Sequence, residues 1–456
     1  MPKTRTIFEC QTCGSQFPKW LGRCSECGGW NTLVESVIGD QVAPTQSKDM
    51  AVSNVKVVSL TDVDVIEAMP VETGISEFDL VLSGGLIPGS VTLIGGEPGI
   101  GKSTLVMQIL GSLADRKIKS LYASAEESNP QLRGRASRLG IKNENIGVLT
   151  TSNVEDIIHH AGESDASIVV VDSIHTIICN DISSGAGTVS QVRECAHRLT
   201  EFAKRTTTTL IIVGQVTKDG ALAGPKVLEH IVDTVLSFEG DDNTLIRTLR
   251  ASKHRFGNID ELGLFDMTEA GLVALDDPQS IMTLQSGSRP SGLAVGVAVD
   301  GSRPFLVEVQ ALVVPTTAPV PRKVVQGVES ARVSALAAVL EKRCGVKLSM
   351  CDIYVSLVGG IKLRDAGLDL AICAALASAA NDQPVSKDFV FAGEVGLSGE
   401  LRPSTHTLRR IREASRRGHS HLYINPGKAK YAADDTGKLE VIDSETVSEV
   451  LIKAGL

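Results

Sequence analysis

The sequence lacks any hydrophobic run long enough to cross a membrane, because no stretch of its 456 residues reaches the ~18 consecutive apolar residues that a spanning helix needs. Its first residues, MPKTRTIFECQTC, lack the apolar core of a secretory signal. A net positive charge is also missing. The formal charge of −9 argues against a uniformly basic nucleic-acid coat, although it is compatible with a local basic path. We therefore expect a cytoplasmic protein without a membrane partner.

The cysteines argue against a disulfide framework, because their number, nine, is odd and the chain is expected to be cytosolic. Five are scattered along the chain and are interpreted as small core hydrophobes or free thiols: Cys179, Cys195, Cys344, Cys351 and Cys373. The other four form two C-x-x-C pairs with ten residues between them: Cys10, Cys13, Cys24 and Cys27.

Two C-x-x-C turns supply four thiolates in a tetrahedral arrangement, which suits Zn²⁺. Iron in a rubredoxin-like site and a redox dithiol pair are the alternatives. Because all four ligands are protein thiolates and no position stays open, the pattern favours a structural metal over a catalytic one. Both tryptophans of the chain, Trp20 and Trp30, lie in this module.

The remaining pattern divides the chain into successive segments. Residues 1–36 are the cysteine module, and the polar, poorly periodic residues 37–68 are a predicted linker. From 69 to 275, apolar runs such as SVTLIGG, KSLYASA, SIVVVDS, TTLIIVGQ and DTVLSFEG alternate with helical patterns, which predicts a parallel α/β sheet. Residues 276–456 again mix strands and helices and are long enough for a separate α/β or α+β domain.

The segment GGEPGIGKST contains a complete P-loop pattern. It follows the predicted strand SVTLI and opens a helical run, which is the structural context that a P-loop needs. Backbone N–H groups of such a loop hold phosphates, its lysine reaches the β- and γ-phosphates, and its serine ligates Mg²⁺. The predicted ATP-binding residues are Gly96, Glu97, Pro98, Gly99, Ile100, Gly101, Lys102, Ser103 and Thr104.

Polar residues follow the neighbouring strands. Asp172 closes the apolar strand ASIVVVDS, where a Walker B aspartate binds Mg²⁺ directly or through water. Glu126 and Glu127 follow KSLYASA, where a carboxylate can polarise the attacking water; a solvated turn is the alternative. Gln215 ends TTLIIVGQ and can sense the terminal phosphate.

A basic pair, Lys253 and Arg255, lies in KHRFG after another predicted strand. In an assembly such residues can reach the phosphates bound by a neighbouring subunit. Taken alone, these two residues could equally belong to a solvated turn.

Taken in order, these motifs resemble the bacterial RadA (Sms) DNA repair family, whose members are RecA-like ATPases. The resemblance covers nearly the whole chain, from the four cysteines through TGISEFDLVLSGGLIPGSV, YASAEES, VVVDSIHT and VTKDGALAGPKVLEH to KHRFG. It implies a RecA-like ATPase core that assembles as a hexameric ring and works on single-stranded and branched DNA with RecA. It also implies that Glu126 is the catalytic glutamate and that Lys253 and Arg255 act across the subunit interface.

The resemblance further places single-stranded DNA at two loops, CNDISSGAGTVSQVRE and VTKDGALAGPKVLEH, the second of which contains Lys218 and Lys226. Two residues depart from the family pattern. His254 stands where the signature has asparagine, and Gln215 stands where many members have histidine. Since RecA itself uses glutamine at that position, we expect nucleotide sensing to survive.

The segment from about residue 290 resembles the proteolytic domain of Lon, through GGIKLRDAGLDLAICAALASAAND and FAGEVGLSGELRPS. The Ser–Lys dyad of Lon falls on Gly367 and near Leu408, and neither residue can do that chemistry. We therefore expect an α+β domain of Lon type without proteolytic activity. A displaced dyad would have to use Ser356, Ser378 or Lys362.

The same domain carries a basic stretch: residues 401–430 contain eight Lys and Arg against one acid, Glu413. Arg409, Arg412 and Arg416 are spaced to share one helix face and form a candidate phosphate-contacting stripe, with Lys362 as a further candidate. A solvated helix face is the alternative.

The leading hypothesis is an ATP-driven DNA motor of recombinational repair, which hydrolyses ATP with Mg²⁺ and carries structural zinc. An ATP-dependent Lon-type protease and a nucleotide-switched scaffold that does no work on DNA are the alternatives.

Overall fold

The computed structural model of the chain describes residues 5–10, 15–26, 28–30, 32–38, 69–215, 227–240, 246–275, 277, 290–359 and 362–456. The chain divides into two compact units. Unit 1 comprises Met1–Glu239, Leu249–Ile259 and Met267–Ala274, and unit 2 comprises Gly240–Thr248, Asp260–Asp266 and Leu275–Leu456. The domain bounds expected from the sequence stay predictions. Among the described residues, every helix is too short or too polar to cross a lipid bilayer.

Unit 1 begins with a small antiparallel sheet in the order β2-β1-β3. Its strands are β1 (Arg5–Cys10), β2 (Gln16–Phe17) and β3 (Leu33–Ile38). Cys10, Cys24 and Leu33 are buried together and form the core of this ribbon. Phe8 and Phe17 are partly buried against this cluster.

The main sheet of unit 1 contains β4 (Val91–Gly96), β5 (Ser120–Ser124), β6 (Ile146–Thr150), β7 (Ile168–Asp172), β8 (Thr209–Gln215) and β9 (Thr234–Gly240). These strands lie in the order β9-β4-β8-β7-β5-β6, and every pairing among them is parallel. The predicted parallel sheet is therefore confirmed. The run Ile168–Asp172 is buried at every position, as expected for a strand covered on both faces.

The sequence did not single out β6, and its burial explains why: this edge strand is mostly exposed. The sheet order continues from β9 to β10 (Ile246–His254), β11 (Leu262–Thr268) and β12 (Gly271–Ala274). The helices of this part are α1 (Ser76–Val81), α2 (Lys102–Asp115), α3 (Asn129–Arg138), α4 (Val154–Glu163), α5 (Val189–Thr206) and α6 (Val227–Ile231).

Unit 2 is built on a seven-stranded mixed sheet in the order β15-β16-β14-β13-β17-β20-β21. Its strands, together with the small hairpin β18–β19, are β13 (Leu293–Asp300), β14 (Arg303–Pro315), β15 (Lys323–Gln326), β16 (Cys351–Leu357), β17 (Phe389–Ala392), β18 (Glu394–Val395), β19 (Leu401–Arg402), β20 (His421–Ile424) and β21 (Glu440–Asp443). Antiparallel pairs β13–β14 and β14–β16 stand beside parallel pairs, which agrees with the α+β expectation.

The helices of unit 2 are α7 (Ser330–Val339), α8 (Asp369–Asn381), α9 (Thr407–Arg416), α10 (Ala433–Thr436) and α11 (Val447–Ala454). Helix α7 continues as a π-helical turn over Leu340–Cys344, and a short 3-10 turn, Ala366–Leu368, precedes α8. Residues 369–378 of α8 are all buried, because the helix lies inside the largest core of the unit. The run LAICAALAS consists of small and aliphatic side chains that suit such close packing.

Candidate active site and the other predicted sites

The P-loop connects β4 to α2, as the motif predicts. Gly99 and Gly101 have φ angles of 80° and 114°, a left-handed region that favours glycine. At Gly96 the constraint is space, since a Cβ would lie 2.4 Å from the carbonyl oxygen of Phe238 in the adjacent strand β9. Within the loop Ile100 is buried, Ser103 and Thr104 are half-buried, and Glu97 and Pro98 are exposed.

Lys102 is the first residue of α2 and is only 7% exposed. Its Nζ donates hydrogen bonds of 2.8 Å to the carbonyl oxygens of Gly96 and Glu97. Burial lowers the pKa of Lys102, while the negative charges of Asp172 and Glu126 act in the opposite direction. The ammonium group is thus held inside the loop, near two carboxylates.

Those carboxylates lie together because of strand register. Ser124, at the end of β5, pairs directly with Asp172, at the end of β7. Beyond these strand ends the Ser173 hydroxyl donates a 2.5 Å hydrogen bond to Oε1 of Glu126. Asp172 itself is buried and accepts a hydrogen bond from the hydroxyl of Tyr122. Burial, reinforced by Asp172, raises the pKa of Tyr122, so the phenol stays a hydrogen-bond donor.

The second glutamate of the pair, Glu127, has a different environment. It forms an ion pair with Arg135 of α3. Burial raises the pKa of Glu127, the positive charge of Arg135 lowers it, and the nearby carboxylates of Asp172 and Glu126 raise it again. Glu126 is thus held by a neutral hydroxyl, whereas Glu127 is held by a cation.

Gln215 ends β8, and its partner in the ladder is Gly96. The glutamine is therefore beside the first glycine of the P-loop, as the sequence predicts for a phosphate sensor. The P-loop, Glu126, Asp172 and Gln215 all meet at the carboxyl edge of one parallel sheet, where ligands of open α/β sheets bind. The hydroxyl of Ser103 and the carboxylate of Asp172 are hard oxygen donors, and this donor chemistry fits Mg²⁺.

The KHRFG segment lies at the end of β10, where its two basic side chains contact residues 229–233 of unit 1. The Nζ of Lys253 donates to the carbonyl oxygens of Glu229 and Val232, at 2.5 Å and 2.7 Å. Arg255 is half exposed and lies 3.2 Å from Oδ1 of Asp233. Burial lowers the pKa of Lys253, and the positive charge of Arg255 lowers it further.

His254, the departure from the family signature, has partners for both ring nitrogens. Nε2 lies 3.3 Å from the carbonyl oxygen of Leu82, and Nδ1 lies 2.9 Å from Oγ1 of Thr234. Because a carbonyl only accepts, Nε2 carries the hydrogen and Nδ1 accepts from the threonine hydroxyl, which is the pattern of a neutral imidazole. Burial lowers the pKa of His254 in agreement with this.

Two of the four predicted metal ligands are described. Cys10 and Cys24 are fully buried, and the turn after Cys24 is closed by a 2.9 Å hydrogen bond from Gly28 N–H to the Cys24 carbonyl. Gly28 has a φ of 75°, so the left-handed turn expected after a C-x-x-C pair is present. Cys13 and Cys27 lie outside the described residues, as do Lys218 and Lys226 of the predicted DNA loop. Thiolate sulfur is the donor chemistry that fits zinc.

In unit 2 the serine of Lon corresponds to Gly367, and the space that a side chain would need there is occupied by the guanidinium of Arg410. A Cβ on Gly367 would lie 2.5 Å from Cζ and Nη1 of Arg410. Arg410 is fully buried, and its guanidinium pairs with both carboxylate oxygens of Asp365 at 2.8 Å. Ser378 is also fully buried, where its hydroxyl donates to the Gln383 carbonyl and accepts from Gly292 N–H. Its surroundings are those of a structural serine.

The predicted arginine stripe lies on one exposed face of α9, as its spacing indicates. Each member is engaged within unit 2: Arg409 donates to the Ser302 carbonyl, Arg412 pairs with Asp435 at 2.8 Å, and Arg416 pairs with Glu413 at 2.9 Å. The stripe is thus partly neutralised by its own unit. Lys362 is exposed.

Several contributors were not found from the sequence. Tyr122 is inside an apolar strand, and only its register with β7 brings it to Asp172. Gln191 of α5 is buried, and its amide bonds to the backbone of Cys179, Ile182 and Ser184, so it fixes part of the first predicted DNA loop. The sequence also gave no sign of the Arg135–Glu127 ion pair, whose members lie in different elements. The Asp365–Arg410 pair was missed because its members are 45 positions apart.

Comparison with known families identifies three parts of the chain. The KaiC model of the ATPase group matches residues 71–162, a rubredoxin metal-binding domain model matches residues 8–35, and a model of subunit ChlI of Mg-chelatase matches residues 319–427. The fold and the site thus define a RecA-like P-loop ATPase, with an N-terminal metal-binding ribbon and a ChlI-like C-terminal domain.

The chain belongs to the family of the DNA repair protein RadA. It is 42% identical over 455 residues to the RadA protein of Bacillus subtilis (strain 168), with 99% of both chains covered. It is 43% identical over 431 residues to the RadA protein of Pseudomonas aeruginosa, with 94% of both chains covered. A KaiC-like protein from Pyrococcus horikoshii OT3, known from a crystal structure, is 21% identical with a TM-score of 0.39, and the match covers 45% of this chain and 98% of that chain.

Proposed function

We propose that this protein is an ATP-driven DNA motor of recombinational repair, which binds single-stranded DNA and moves branch points of recombination intermediates together with RecA. The observation that carries the proposal is the position of Gln215. It lies beside Gly96 of the P-loop and is followed directly by the segment that contains Lys218 and Lys226. The β-strand β8 thereby connects the nucleotide site to the candidate DNA loop. The relatives' name, DNA repair protein RadA, supports the same function.

In this proposal Lys102 exchanges its two carbonyl partners for the β- and γ-phosphates of ATP, and the backbone N–H groups of residues 96–104 hold the phosphate oxygens. Ser103 and Asp172 hold Mg²⁺, which when bound supplies positive charge against the negative charge that develops on the phosphates. Glu126 orients and polarises the attacking water, since its partner Ser173 is neutral and leaves its negative charge intact. Glu127 is the weaker candidate, because the cation of Arg135 already engages it.

We further propose that Cys10, Cys13, Cys24 and Cys27 hold a structural Zn²⁺, whose thiolate ligands add to the small core formed by the described residues of the ribbon. Lys253 and Arg255 are proposed to reach the nucleotide of a neighbouring subunit in a hexameric ring. Their present partners, two carbonyls and a single carboxylate, are groups that a phosphate can displace. A cytoplasmic location stays a prediction.

The first test is the ATPase rate with and without single-stranded DNA at two salt concentrations. Stimulation that fades as salt rises is expected, because phosphate contacts release counterions on binding. Lys102→Ala should abolish turnover. An ATPase rate that ignores DNA at both salt concentrations would favour the scaffold, and wild-type turnover in Lys102→Ala would overturn the site assignment.

The two glutamates provide a matched pair for the chemical step. Glu126→Gln should lower the turnover number by about a hundredfold or more while nucleotide binding persists, because a positioned general base contributes ~10²–10⁴ in rate. Glu127→Gln should cost much less, since it removes only a partner of Arg135. The reverse ranking would move the catalytic role to Glu127.

The arginine stripe of α9 has its own test. The triple variant Arg409→Ala, Arg412→Ala and Arg416→Ala should weaken binding to single-stranded DNA, and the slope of log affinity against log salt should become shallower by up to about 2, for three phosphate contacts at ~0.7 each. An unchanged affinity and slope would leave α9 as a solvated face. Branch migration of a RecA-made joint molecule, followed on a gel, tests the motor activity itself.

A further inference from the structure

Tyr122 is a buried polar residue in the nucleotide site to which the sequence motifs assign no role. It is the middle residue of β5, all five residues of which are buried, and its own side chain is 0% exposed. A buried tyrosine hydroxyl normally finds a hydrogen-bond partner. Here the partner is not a backbone carbonyl but the carboxylate of Asp172, through Oδ2.

The register of the sheet brings Tyr122 and Asp172 side by side. Tyr122 pairs with Val170, and Ser124 pairs with Asp172, so Tyr122 and Asp172 are diagonal neighbours on adjacent parallel strands. Because residues two apart on a strand face the same side, the phenol and the carboxylate lie on one face of the sheet. The ring is fixed by burial, and the position of its hydroxyl therefore fixes the orientation of the carboxylate.

We propose that Tyr122 is a positioning residue for the nucleotide-bound metal: its hydroxyl engages Oδ2 of Asp172 and so presents Oδ1 to the metal or to a metal-bound water. The inference rests on the proposed function, in which Asp172 and Ser103 hold Mg²⁺. Groups that hydrogen-bond to metal ligands set the orientation of those ligands, and losing such a group typically costs ~10–100-fold in metal affinity or activity.

Tyr122→Phe tests this, because it removes one oxygen atom and keeps the buried ring. The probe is Mn²⁺, a paramagnetic substitute for Mg²⁺, whose binding to the full-length protein with ADP is followed by electron paramagnetic resonance. We expect Mn²⁺ affinity to fall by about tenfold or more. Binding of a fluorescent ADP in excess EDTA should be unchanged, since the P-loop contacts to phosphate remain. Turnover should recover as Mg²⁺ is raised.

Tyr423→Phe is the matched control. Tyr423 is also buried, at 2% exposed, but its hydroxyl donates to the carbonyl oxygen of Lys453 in unit 2. The control should lose a buried hydroxyl with no change in Mn²⁺ affinity. If both variants weaken Mn²⁺ binding equally, the effect is general destabilisation and the proposal is wrong.

Asp172→Asn separates this inference from the function on which it depends. If Asp172→Asn leaves Mn²⁺ affinity unchanged, the metal role of Asp172 fails and both proposals fall. If Asp172→Asn weakens binding and Tyr122→Phe does not, only the inference about Tyr122 is refuted. The double variant should bind Mn²⁺ no more weakly than Asp172→Asn alone, because Tyr122 acts through that carboxylate.

A measurement that keeps Tyr122 covers the case in which Tyr122→Phe does not fold. The chain has four tyrosines, and the triple variant Tyr354→Phe, Tyr423→Phe and Tyr431→Phe leaves Tyr122 as the single site for 3-fluorotyrosine. Its ¹⁹F resonance should shift when Mg²⁺ is added to the ADP complex. A resonance that does not move, in a protein that binds Mg²⁺, would overturn the proposal.

Discussion

Replacing Gly367 by alanine should destabilise unit 2, because the space for a side chain is already occupied. The new Cβ would lie 2.5 Å from Cζ and Nη1 of Arg410 and 2.7 Å from Nη2. The end of a long side chain can usually move away, but this one is fixed. Its Nη1 and Nη2 bond to Asp365, Nη1 also donates to the Val297 carbonyl, and Nε donates to the Thr405 carbonyl.

The loss of stability can be estimated from the contacts that the new Cβ would disturb. Overpacking a core costs ~1–3 kcal/mol when neighbours can adjust. Breaking a buried ion pair costs ~3–5 kcal/mol, because the remaining charge stays buried without its partner. Arg410 is 0% exposed and cannot rotate into water without unpacking α9. We therefore expect a loss of about 3 kcal/mol in the stability of unit 2, which corresponds to a roughly hundredfold larger equilibrium population of the open state at ~1.4 kcal/mol for each factor of ten.

Amide hydrogen exchange with mass spectrometry is the suitable assay, because it reports the two units separately. Peptides from β13 and α8 should exchange about a hundredfold faster in Gly367→Ala. Gly162→Ala is the control: it lies on an exposed position of α4, where a Cβ meets nothing within 4 Å. Protection that stays within a factor of three of wild type in Gly367→Ala would refute the steric argument.

The same geometry predicts the outcome of restoring the nucleophile. Gly367→Ser should be destabilised like the alanine variant and should release no peptides from casein with ATP, because the guanidinium of Arg410 occupies the position of the serine side chain. ATP-stimulated peptide release would contradict this and revive the protease hypothesis.

Three further predictions concern other parts of the chain. Burial lowers the pKa of His254 below its ordinary 6.5, so the unfolded state binds the proton more readily than the folded state. The free energy of unfolding should therefore fall as the pH drops below about 6.5. Urea unfolding at pH 5.5 and 7.5 should show this fall in wild type and a smaller one in His254→Asn. Cys24→Ser should lose the bound metal and shift the tryptophan emission, because both tryptophans lie in the ribbon, whereas Cys195→Ser should retain metal and emission; metal analysis and fluorescence check this. Asp435→Asn should free Arg412 and tighten binding to single-stranded DNA, and the slope of log affinity against log salt should become steeper by up to about 0.7. Fluorescence anisotropy measures this affinity, and weaker binding would count against the arginine stripe of α9.

The nucleotide site was largely predictable because its chemistry is local in sequence. The P-loop glycines, Lys102 and Ser103 are contiguous, and the backbone path that they need is set by residues within the loop. Asp172 and Gln215 were recognisable because each ends an apolar strand, and the carboxyl ends of parallel strands meet at one edge. The structure places all of them at that edge.

Edge strands and side-chain partners were less predictable. β6 carries little hydrophobic signal because it is mostly exposed, and its strand conformation comes from pairing with β5. His254 shows the same limit: the sequence marks it as a departure from a signature, but only the fold brings Leu82 and Thr234 to its two nitrogens. The substitution thereby gains a structural explanation.

The class of protein and the phosphate-binding loop could be identified from the sequence, because each depends on residue types at fixed spacing. The tertiary structure alone decided which residues support them. Tyr122 reaches Asp172 from 50 positions away, and Arg410 reaches Asp365 from 45 positions away. Contacts of that kind depend on strand register and helix packing, which arise from the burial of whole elements and leave no trace in any short stretch of sequence.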